Sequence, residues 1–195
     1  GETLSLIQIK KILKNTDGLV VVDEVFFEIS DLTKKESAIN LINKSENLII
    51  LKSLSKTHGL IGVRVGFGIA NKKIINLLEK WKLPFSVSVM AQKIAITTLN
   101  DRQHFKRIKQ AIGKEKAWLF KNLKRLENLQ LGSHSKTNVF LLKHKKKDLF
   151  EELLKRKILA ADFRNADGIE DQGFIRLTVQ NRKENAILLK TLSKI

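Results

Sequence analysis

Two short apolar runs constrain the fold of this chain most strongly, because each one ends in residues that can carry chemistry. Residues 19–22 consist of leucine and valine, and residues 47–52 are apolar between their two ends. Short continuous runs of this kind are typical of strands buried on both faces of a largely parallel sheet. Asp23 and Glu24 stand at the carboxyl end of the first run, where open α/β sheets bind their ligands. The sequence predicts an α/β region, in which Asp23 is either a cap or a ligand-facing carboxylate.

The segment that follows the second run, from Ser53 to Gly68, places Lys56 between hydroxyl side chains. A lysine held at a strand end and partly desolvated loses its proton more readily, and a neutral amine can attack a carbonyl. Ser53, Ser55 and Arg64 could hold an anion, since a guanidinium matches phosphate oxygens in a two-pronged way. Pyridoxal phosphate requires this combination of an amine and a phosphate anchor. On this segment alone, the alternative that Lys56 is one exposed lysine among many stays open.

The composition narrows the class of protein. With 195 residues, of which 43% are hydrophobic, the chain can bury the core of one or two domains. It has no apolar run long enough to span a membrane and opens on no secretory signal, so we expect a cytoplasmic location. There are no cysteines, which excludes disulfides and thiolate chemistry.

The formal net charge of +17 is typical of proteins that bind nucleic acids. The lysines, however, are spread along predicted helices opposite leucine and isoleucine positions, as on a solvated helix face. No zinc-type spacing accompanies them, no metal site is predicted, and aromatic residues make up only 6% of the chain. We therefore expect small anionic, phosphorylated substrates as partners, and nucleic-acid binding is the less favoured alternative.

Alternating element types predict two regions joined by a long helix. We expect residues 1–100 to form an α/β region, residues 101–130 to form a connecting helix, and residues 131–195 to form a small α+β domain. Helices are predicted from Ser5 to Asn15 and over 37–43, 72–81, 89–99, 102–126, 147–157 and from Asn181 to the end; further strands are predicted over 64–70, 138–142, 158–161 and 173–179. Gly66 and Gly68 suggest that strand 64–70 is a tightly packed interior strand.

Three separated segments together resemble one known group of enzymes. The segments are Val20-Val21-Val22-Asp23-Glu24, then Ser53-Leu54-Ser55-Lys56 with Arg64, and finally Phe174-Ile175-Arg176-Leu177-Thr178-Val179. In order and spacing they resemble the fold-type I pyridoxal-phosphate enzymes, and more narrowly the histidinol-phosphate aminotransferase group, which includes the similar threonine-phosphate decarboxylases. The likeness covers residues 1–195. It implies an α/β fold of the aspartate aminotransferase type, in which residues 1–100 are the C-terminal part of the cofactor-binding large domain and residues 131–195 are the small C-terminal α+β domain.

The resemblance also implies roles for individual residues. Asp23 matches the carboxylate that pairs with the pyridine nitrogen of the cofactor and keeps it protonated, so that the ring accepts electrons. Lys56 matches the lysine that forms the Schiff base and moves the proton. Ser53, Ser55 and Arg64 match the residues that contact the cofactor phosphate. Asp23 and Lys56 are accordingly the expected catalytic residues.

The substrate side of the resemblance contains two departures. Arg176 matches the small-domain arginine that binds the substrate's carboxylate or phosphate. Phe26 stands where most of these aminotransferases carry a tyrosine that contacts the cofactor, and the chain contains no tyrosine. The decarboxylase branch often has phenylalanine there, and residues 84–87 resemble its Pro-aromatic-Ser-Val loop. Ala161 stands where both branches usually place an arginine, and Arg164 is the expected substitute.

Gly1 resembles the glycine that ends the family's Asn-Pro-x-x-Pro-Thr-Gly segment, so we expect a C-terminal fragment that carries half a site and shows no turnover by itself. Members of the family generally form dimers, which implies a homodimer for the full-length protein. The expected activity is transfer of an amino group between a phosphorylated amine or amino acid and a 2-oxo acid. A threonine-phosphate decarboxylase on the same scaffold is the alternative. A basic nucleic-acid-binding module on an inactive enzyme scaffold is a distant third.

Overall fold

The computed structural model describes residues 2–132, 135–164, 166–167 and 173–195. The chain divides into two compact units, Thr3–Arg107 and Ile108–Ile195, and the boundary falls within one long helix, Arg102–Leu123. The assignment of these regions to a cofactor-binding domain and a small domain stays a prediction. Among the described residues, no helix is both long and apolar enough to cross a bilayer.

The first unit is built on a three-stranded sheet with the order β1-β2-β3. Strand β1 (Val20–Asp23) runs parallel to β2 (Leu48–Ser53), and β3 (Gly66–Ala70) runs antiparallel to β2. The two strands predicted from the apolar runs are therefore confirmed. The prediction that β3 lies in the interior is wrong for the described chain, because β3 pairs there only with β2 and Gly66, Phe67 and Gly68 are exposed.

A small core covers one face of this sheet. Leu48 and Ile50 of β2 pack with residues of helix α1 (Leu6–Lys14) and of a 3₁₀ helix, Ala38–Lys44. Leu48 and Ile50 are both fully buried because they lie on the same face of β2, which this core covers. This packing holds β1 and β2 side by side, so the positions where they end are determined by the core.

Side chains that accept a hydrogen bond from a first-turn amide precede the α-helices of the described chain. Five of these capping residues are Ser5, Asn71, Ser88, Asp148 and Asn181. Each such cap contributes roughly 1 kcal/mol. The helices that follow are α1, α3 (Lys72–Trp81), α4 (Val89–Asn100), α6 (Leu149–Lys155) and α7 (Arg182–Leu192); α2 is Leu54–Thr57 and α5 is Arg102–Leu123. The predicted positions of these helices, α2 apart, are confirmed to within a few residues.

The second unit is an antiparallel sheet packed against helices. Its strand order is β4-β5-β7-β6, with β4 at Leu129–Leu131, β5 at Val139–His144, β6 at Ala161–Asp162 and β7 at Ile175–Thr178. Leu142 and Ile175 are fully buried in a core that also contains Leu119, Leu149 and Leu188 from α5, α6 and α7. The strands predicted over 138–142 and 173–179 are confirmed as β5 and β7, whereas β4 was not predicted, and the small domain over residues 131–195 stays a prediction.

The strand predicted over residues 158–161 is wrong in position. The chain leaves α6 through Lys157, whose φ is 61°, and the Ile158 amide donates to the Leu153 carbonyl at 3.0 Å. Ile158 therefore closes the end of the helix, and its apolar side chain packs on the core without joining the sheet. The strand begins only at Ala161, which pairs with Arg176.

Candidate active site

The strand register brings the candidate residues of the first unit to one edge of the sheet. Parallel β1 and β2 end at the same edge, where Asp23 partners Leu51 and β2 continues to Ser53. Antiparallel β3 begins there, with Gly66 partnering Ser53. The segment that leads into β3 carries Arg64. Asp23, Ser53 and Arg64 therefore share an edge with α2, which starts directly after Ser53.

Asp23 is exposed at the end of β1, and its carboxylate is only partly engaged. One oxygen, Oδ1, accepts a hydrogen bond from the Val25 amide at 2.9 Å, which closes a turn of the Asx type. Within the described residues, Oδ2 makes no hydrogen bond or ion pair. The capping interpretation of Asp23 is therefore confirmed, and its role as a ligand-facing carboxylate stays a prediction that the open oxygen permits.

Lys56 lies in the single-turn helix α2, which its own side chains hold in place. The Ser53 hydroxyl accepts from the Ser55 amide at 3.1 Å, and the Thr57 hydroxyl donates to the Ser53 carbonyl at 2.9 Å. The Lys56 side chain is exposed, and in the described part of the chain its amine has no hydrogen-bond or ion-pair partner. The desolvation expected for Lys56 is therefore not supplied by these residues, but the amine is available to a ligand.

Arg64 is held in an unusual backbone conformation. Its φ and ψ are 55° and 48°, in the left-handed region, and its guanidinium donates to the Ile61 carbonyl at 3.1 Å. This conformation costs a non-glycine residue roughly 1–2 kcal/mol. Such strain persists where the surroundings over-determine it and is common at ligand sites. The side chain remains exposed, so the guanidinium can bind an anion at the sheet edge.

Two residues with aromatic side chains, Phe26 and His58, follow β1 and α2 directly in the chain or within a turn. Phe26 is half-buried in the turn that follows Asp23, immediately before a 3₁₀ helix, Phe27–Ile29. His58, directly after α2, stacks on Phe105 with ring centroids 5.0 Å apart, and its Nδ1 lies 2.6 Å from the Thr57 hydroxyl. Burial lowers the pKa of His58 below its ordinary value. The sequence analysis did not identify His58, because no spacing in the sequence relates it to Phe105.

A buried ion cluster, Glu24–Lys52–Glu28, lies beside these residues and was also missed. Lys52 Nζ is 2.7 Å from a Glu24 oxygen and 2.6 Å from a Glu28 oxygen, and the Lys52 and Glu24 side chains are 9% and 7% exposed. Burial acts to lower the pKa of Lys52, but the hydrogen bonds to the two glutamates outweigh it and the pKa is raised. The only sequence signal was a lysine at the end of an otherwise apolar strand.

The second unit holds the two arginines predicted to bind substrate. Arg176 is exposed on β7, and its guanidinium lies 4.8 Å from the centre of the Phe163 ring. It also lines a cavity of about 490 Å³, together with Lys157, Gln180 and Glu184. The stacking restricts the guanidinium to one plane, which is favourable for binding a carboxylate or phosphate.

Arg164 is engaged by the carboxylates of its own unit. Its guanidinium lies 2.8 Å from Asp162 and 3.8 Å from Glu151, pairs closely with Asp148, and stacks 4.5 Å from the Phe150 ring centre. The hydrogen bonds from Arg164 lower the pKa of Asp162 to about 2. The substitution of Arg164 for an arginine at position 161 stays a prediction, and it would require substrate to displace these carboxylates.

The donor set at the sheet edge fits pyridoxal phosphate. An amine with no partner among the described residues, Lys56, can condense with an aldehyde. The Ser55 hydroxyl and the Arg64 guanidinium can bind a phosphate, and the open oxygen of Asp23 can pair with a protonated ring nitrogen. The aldehyde, the phosphate and the ring nitrogen of the cofactor therefore each have a chemically matched residue on this edge of the first unit.

Comparisons with known proteins identify the family of the chain. The chain matches the family described as aminotransferase class I and II over residues 1–192. It is 36% identical over 196 residues to the histidinol-phosphate aminotransferase of Thermoanaerobacter pseudethanolicus, covering all of this chain and 54% of that protein. The chain thus spans about half the length of the curated relatives it matches.

Two solved structures show the same fold. The histidinol-phosphate aminotransferase from Clostridium acetobutylicum superposes with a TM-score of 0.88 at 23% identity, over 96% of this chain and 57% of that one. The L-threonine-O-3-phosphate decarboxylase from Porphyromonas gingivalis superposes with a TM-score of 0.82 at 24% identity, over 100% of this chain and 60% of that one. The predicted α/β fold of the aspartate aminotransferase type is confirmed.

Proposed function

The chain belongs to the class I and II aminotransferase family, and we propose that the natural protein containing it is a pyridoxal-phosphate-dependent aminotransferase of the histidinol-phosphate group. One observation carries the proposal: Asp23, Ser53 and Arg64 share a single sheet edge, from which α2 extends with Lys56. The 36% identity to a histidinol-phosphate aminotransferase supports this group. The substrate is then a phosphorylated amine or amino acid, and the acceptor is a 2-oxo acid.

Different residues of the first unit would bind different groups of the cofactor. When bound, pyridoxal phosphate supplies a ring that withdraws electrons from the substrate Cα. The open oxygen of Asp23 would pair with the ring nitrogen and favour its protonated form, because an adjacent negative charge raises the pKa of that nitrogen. Ser55 and Arg64 would anchor the phosphate. Lys56 would hold the cofactor at its aldehyde carbon by condensing with loss of water, and its amine would move a proton to or from the substrate Cα.

Arg176 provides the contact with the substrate's anionic group in this proposal. Its exposed guanidinium lies over the Phe163 ring, and among the described residues its N–H groups have no hydrogen-bond partner, so they can form paired hydrogen bonds with a carboxylate or phosphate. Arg164 is the weaker candidate for such a role, since it already pairs with Asp162 and Asp148. The homodimer implied by the resemblance is likewise part of the proposal for the natural protein.

A threonine-phosphate decarboxylase is the second candidate, and Phe26 is the observation that favours it. Phe26 lies in the turn after Asp23 and has no hydroxyl with which to contact the cofactor. Both reactions use the same ring chemistry. They differ in which bond of the substrate Cα is aligned with the ring's π system, and the residues that grip the carboxylate and phosphate decide that alignment.

An assay with two substrates tests the proposal in the natural protein that contains these residues. Pyridoxal phosphate is added with histidinol phosphate and 2-oxoglutarate in one arm, and with L-threonine phosphate in the other. The Lys56→Ala variant removes the candidate amine, while Lys72→Ala changes an exposed lysine of α3 and serves as the matched control. The proposal expects glutamate formation in the first arm, lost in Lys56→Ala and retained in Lys72→Ala.

The outcomes separate the candidates. Carbon dioxide release from L-threonine phosphate, abolished in Lys56→Ala, would establish the decarboxylase instead. Activity in either arm that survives in Lys56→Ala would remove Lys56 from the proposed role. Neither activity, together with no change in visible absorbance on adding pyridoxal phosphate, would overturn the assignment to a pyridoxal-phosphate enzyme and favour an inactive scaffold.

A further inference from the structure

We propose that the buried ion cluster Glu24–Lys52–Glu28 is a positioning device that orients Asp23 and the start of α2 toward pyridoxal phosphate. The inference rests on the proposed function and extends it to residues that would not contact the cofactor. It begins from the location of the cluster, because Glu24 directly follows Asp23 and Lys52 directly precedes Ser53. Glu24 and Lys52 are therefore each one peptide bond from a candidate site residue.

The cluster joins the ends of β1 and β2 through an ion pair between side chains that are almost fully buried. Glu24 accepts hydrogen bonds from the Ser37 hydroxyl at 2.8 and 3.1 Å and from the Ala38 amide at 2.6 Å, in addition to its ion pair with Lys52. Its own amide donates to the Leu51 carbonyl at 3.0 Å. Glu24 is thus held by its backbone and its side chain at once, which leaves the residue little freedom.

Lys52 is equally restrained. Its amine binds Glu24 and Glu28 and lies 4.6 Å from the centre of the Phe27 ring. Removing one partner from a buried pair leaves an uncompensated charge and is strongly unfavourable, so the partners stay together. This arrangement fixes the last residues of β2, directly before the Ser53 hydroxyl that caps α2.

The orientation of Asp23 depends on Glu24 through one hydrogen bond. Asp23 is exposed, and among the described residues its carboxylate is held only by the Val25 amide at 2.9 Å. That amide belongs to the peptide between Glu24 and Val25. If Glu24 loses its anchor, this peptide can rotate, and the open oxygen of Asp23 no longer has a defined direction.

A surface ion pair in the same unit provides a matched control. Lys73 and Glu46 approach to 3.6 Å with side chains 81% and 85% exposed. Exposed pairs contribute little, typically below about 1 kcal/mol. Glu46→Gln therefore makes the same chemical change as Glu24→Gln without disturbing a buried contact.

The test measures the dissociation constant for pyridoxal phosphate in the natural protein, from the change in visible absorbance on binding. The measurement is made at a temperature where circular dichroism shows each variant to be folded. We expect Glu24→Gln to weaken binding of pyridoxal phosphate about tenfold or more. This is the lower end of the loss in affinity seen when a residue that orients a direct ligand, without itself contacting the bound group, is substituted. Lys52→Arg keeps the charge and should retain most of the affinity, and Glu46→Gln should bind like the unsubstituted protein.

A second readout distinguishes positioning from simple stabilisation. The pH at which the visible spectrum of the bound cofactor changes depends on how Asp23 faces the ring nitrogen, so it should shift in Glu24→Gln and stay unchanged in Glu46→Gln. If Glu24→Gln does not fold, Glu28→Gln is the milder variant, because Glu28 is 31% exposed and Lys52 keeps one partner. Glu28→Gln should also weaken binding of pyridoxal phosphate.

Three results would count against the inference, and they are distinguishable. Unchanged affinity and spectrum in Glu24→Gln, with a lower unfolding temperature, would mean that the cluster only stabilises the fold. Equal weakening in Glu46→Gln would trace the effect to net charge. An unsubstituted protein that does not bind pyridoxal phosphate would instead overturn the proposed function, and the positioning role would fall with it.

Discussion

An alanine at Gly66 tests the strand register that assembles the candidate site. Gly66 faces Ser53 across β2 and β3, and an added Cβ would lie 2.8 Å from the Lys52 carbonyl oxygen and 3.8 Å from the Ser53 Cα. Both are backbone atoms, so they cannot move aside without shifting the strand pair. Overpacking of this kind costs roughly 1–3 kcal/mol. The shift would occur directly before α2, so binding of pyridoxal phosphate should weaken as well.

Gly68→Ala is the matched control on the same strand. Gly68 is also exposed, but a Cβ there would have its nearest neighbours, Ile50 O and Leu51 Cδ2, at 4.0 Å, which is ordinary van der Waals contact. Its φ is not positive, so alanine can adopt the native conformation. An alanine that fits restricts the unfolded chain and stabilises by roughly 0.4–1 kcal/mol. The two variants should therefore move stability in opposite directions.

Urea unfolding followed by far-ultraviolet circular dichroism measures this difference in the natural protein. The expected result is a lower urea midpoint for Gly66→Ala and an equal or higher midpoint for Gly68→Ala. Equal midpoints for the two variants would refute the reasoning, because they would mean that β2 and β3 do not approach each other at Gly66 as described.

Two further predictions concern titration in the second unit. The Nδ1 of His144 accepts hydrogen bonds from the Lys146 and Lys147 amides, and burial lowers the pKa of this histidine. As the pH falls, the unfolded chain therefore binds a proton at this position before the folded chain does. The stability that neutral His144 contributes is present above about pH 6.5 and is lost as the pH falls through the lowered pKa of the folded state. Unfolding midpoints measured from neutral to mildly acidic pH should fall less in His144→Leu, and an unchanged slope would contradict the assignment. A titration of the Asp162 carboxyl followed by nuclear magnetic resonance should give a pKa of about 2, because Arg164 binds the ionised form. The Arg164→Met variant should raise this pKa toward about 3.9. A pKa that stays low in the variant would exclude Arg164 as the cause.

Local signals in the sequence predicted most elements of the fold. Apolar runs predicted β1 and β2, and polar residues before amphipathic segments predicted the caps Ser5 and Asn181. These signals succeed because a capping hydrogen bond closes within three residues and burial on both faces requires a continuous apolar run. The strand end and its hydroxyl side chains indicated Lys56 as a candidate amine, but only the resemblance favoured this role over that of one exposed lysine among many.

Long-range pairing decided the features that sequence analysis missed. Lys52 appeared to be a polar strand end, yet its register against β1 buries it between Glu24 and Glu28. Arg164 was expected to be available to substrate, but it is engaged by Asp162 and Asp148. Neither arrangement follows from composition or periodicity, because each depends on which side chains meet after the elements pack.

The sequence by itself determined the family, the order of the elements and the residue types that can hold an aldehyde, a phosphate and a ring nitrogen. Only the tertiary structure decided how these residues are held. It brought Asp23 and Ser53 to one edge by the parallel pairing of β1 and β2, and it left the Lys56 amine exposed. The physical reason is that residue chemistry is a property of each side chain, whereas direction and burial arise from contacts between segments that are distant in the chain.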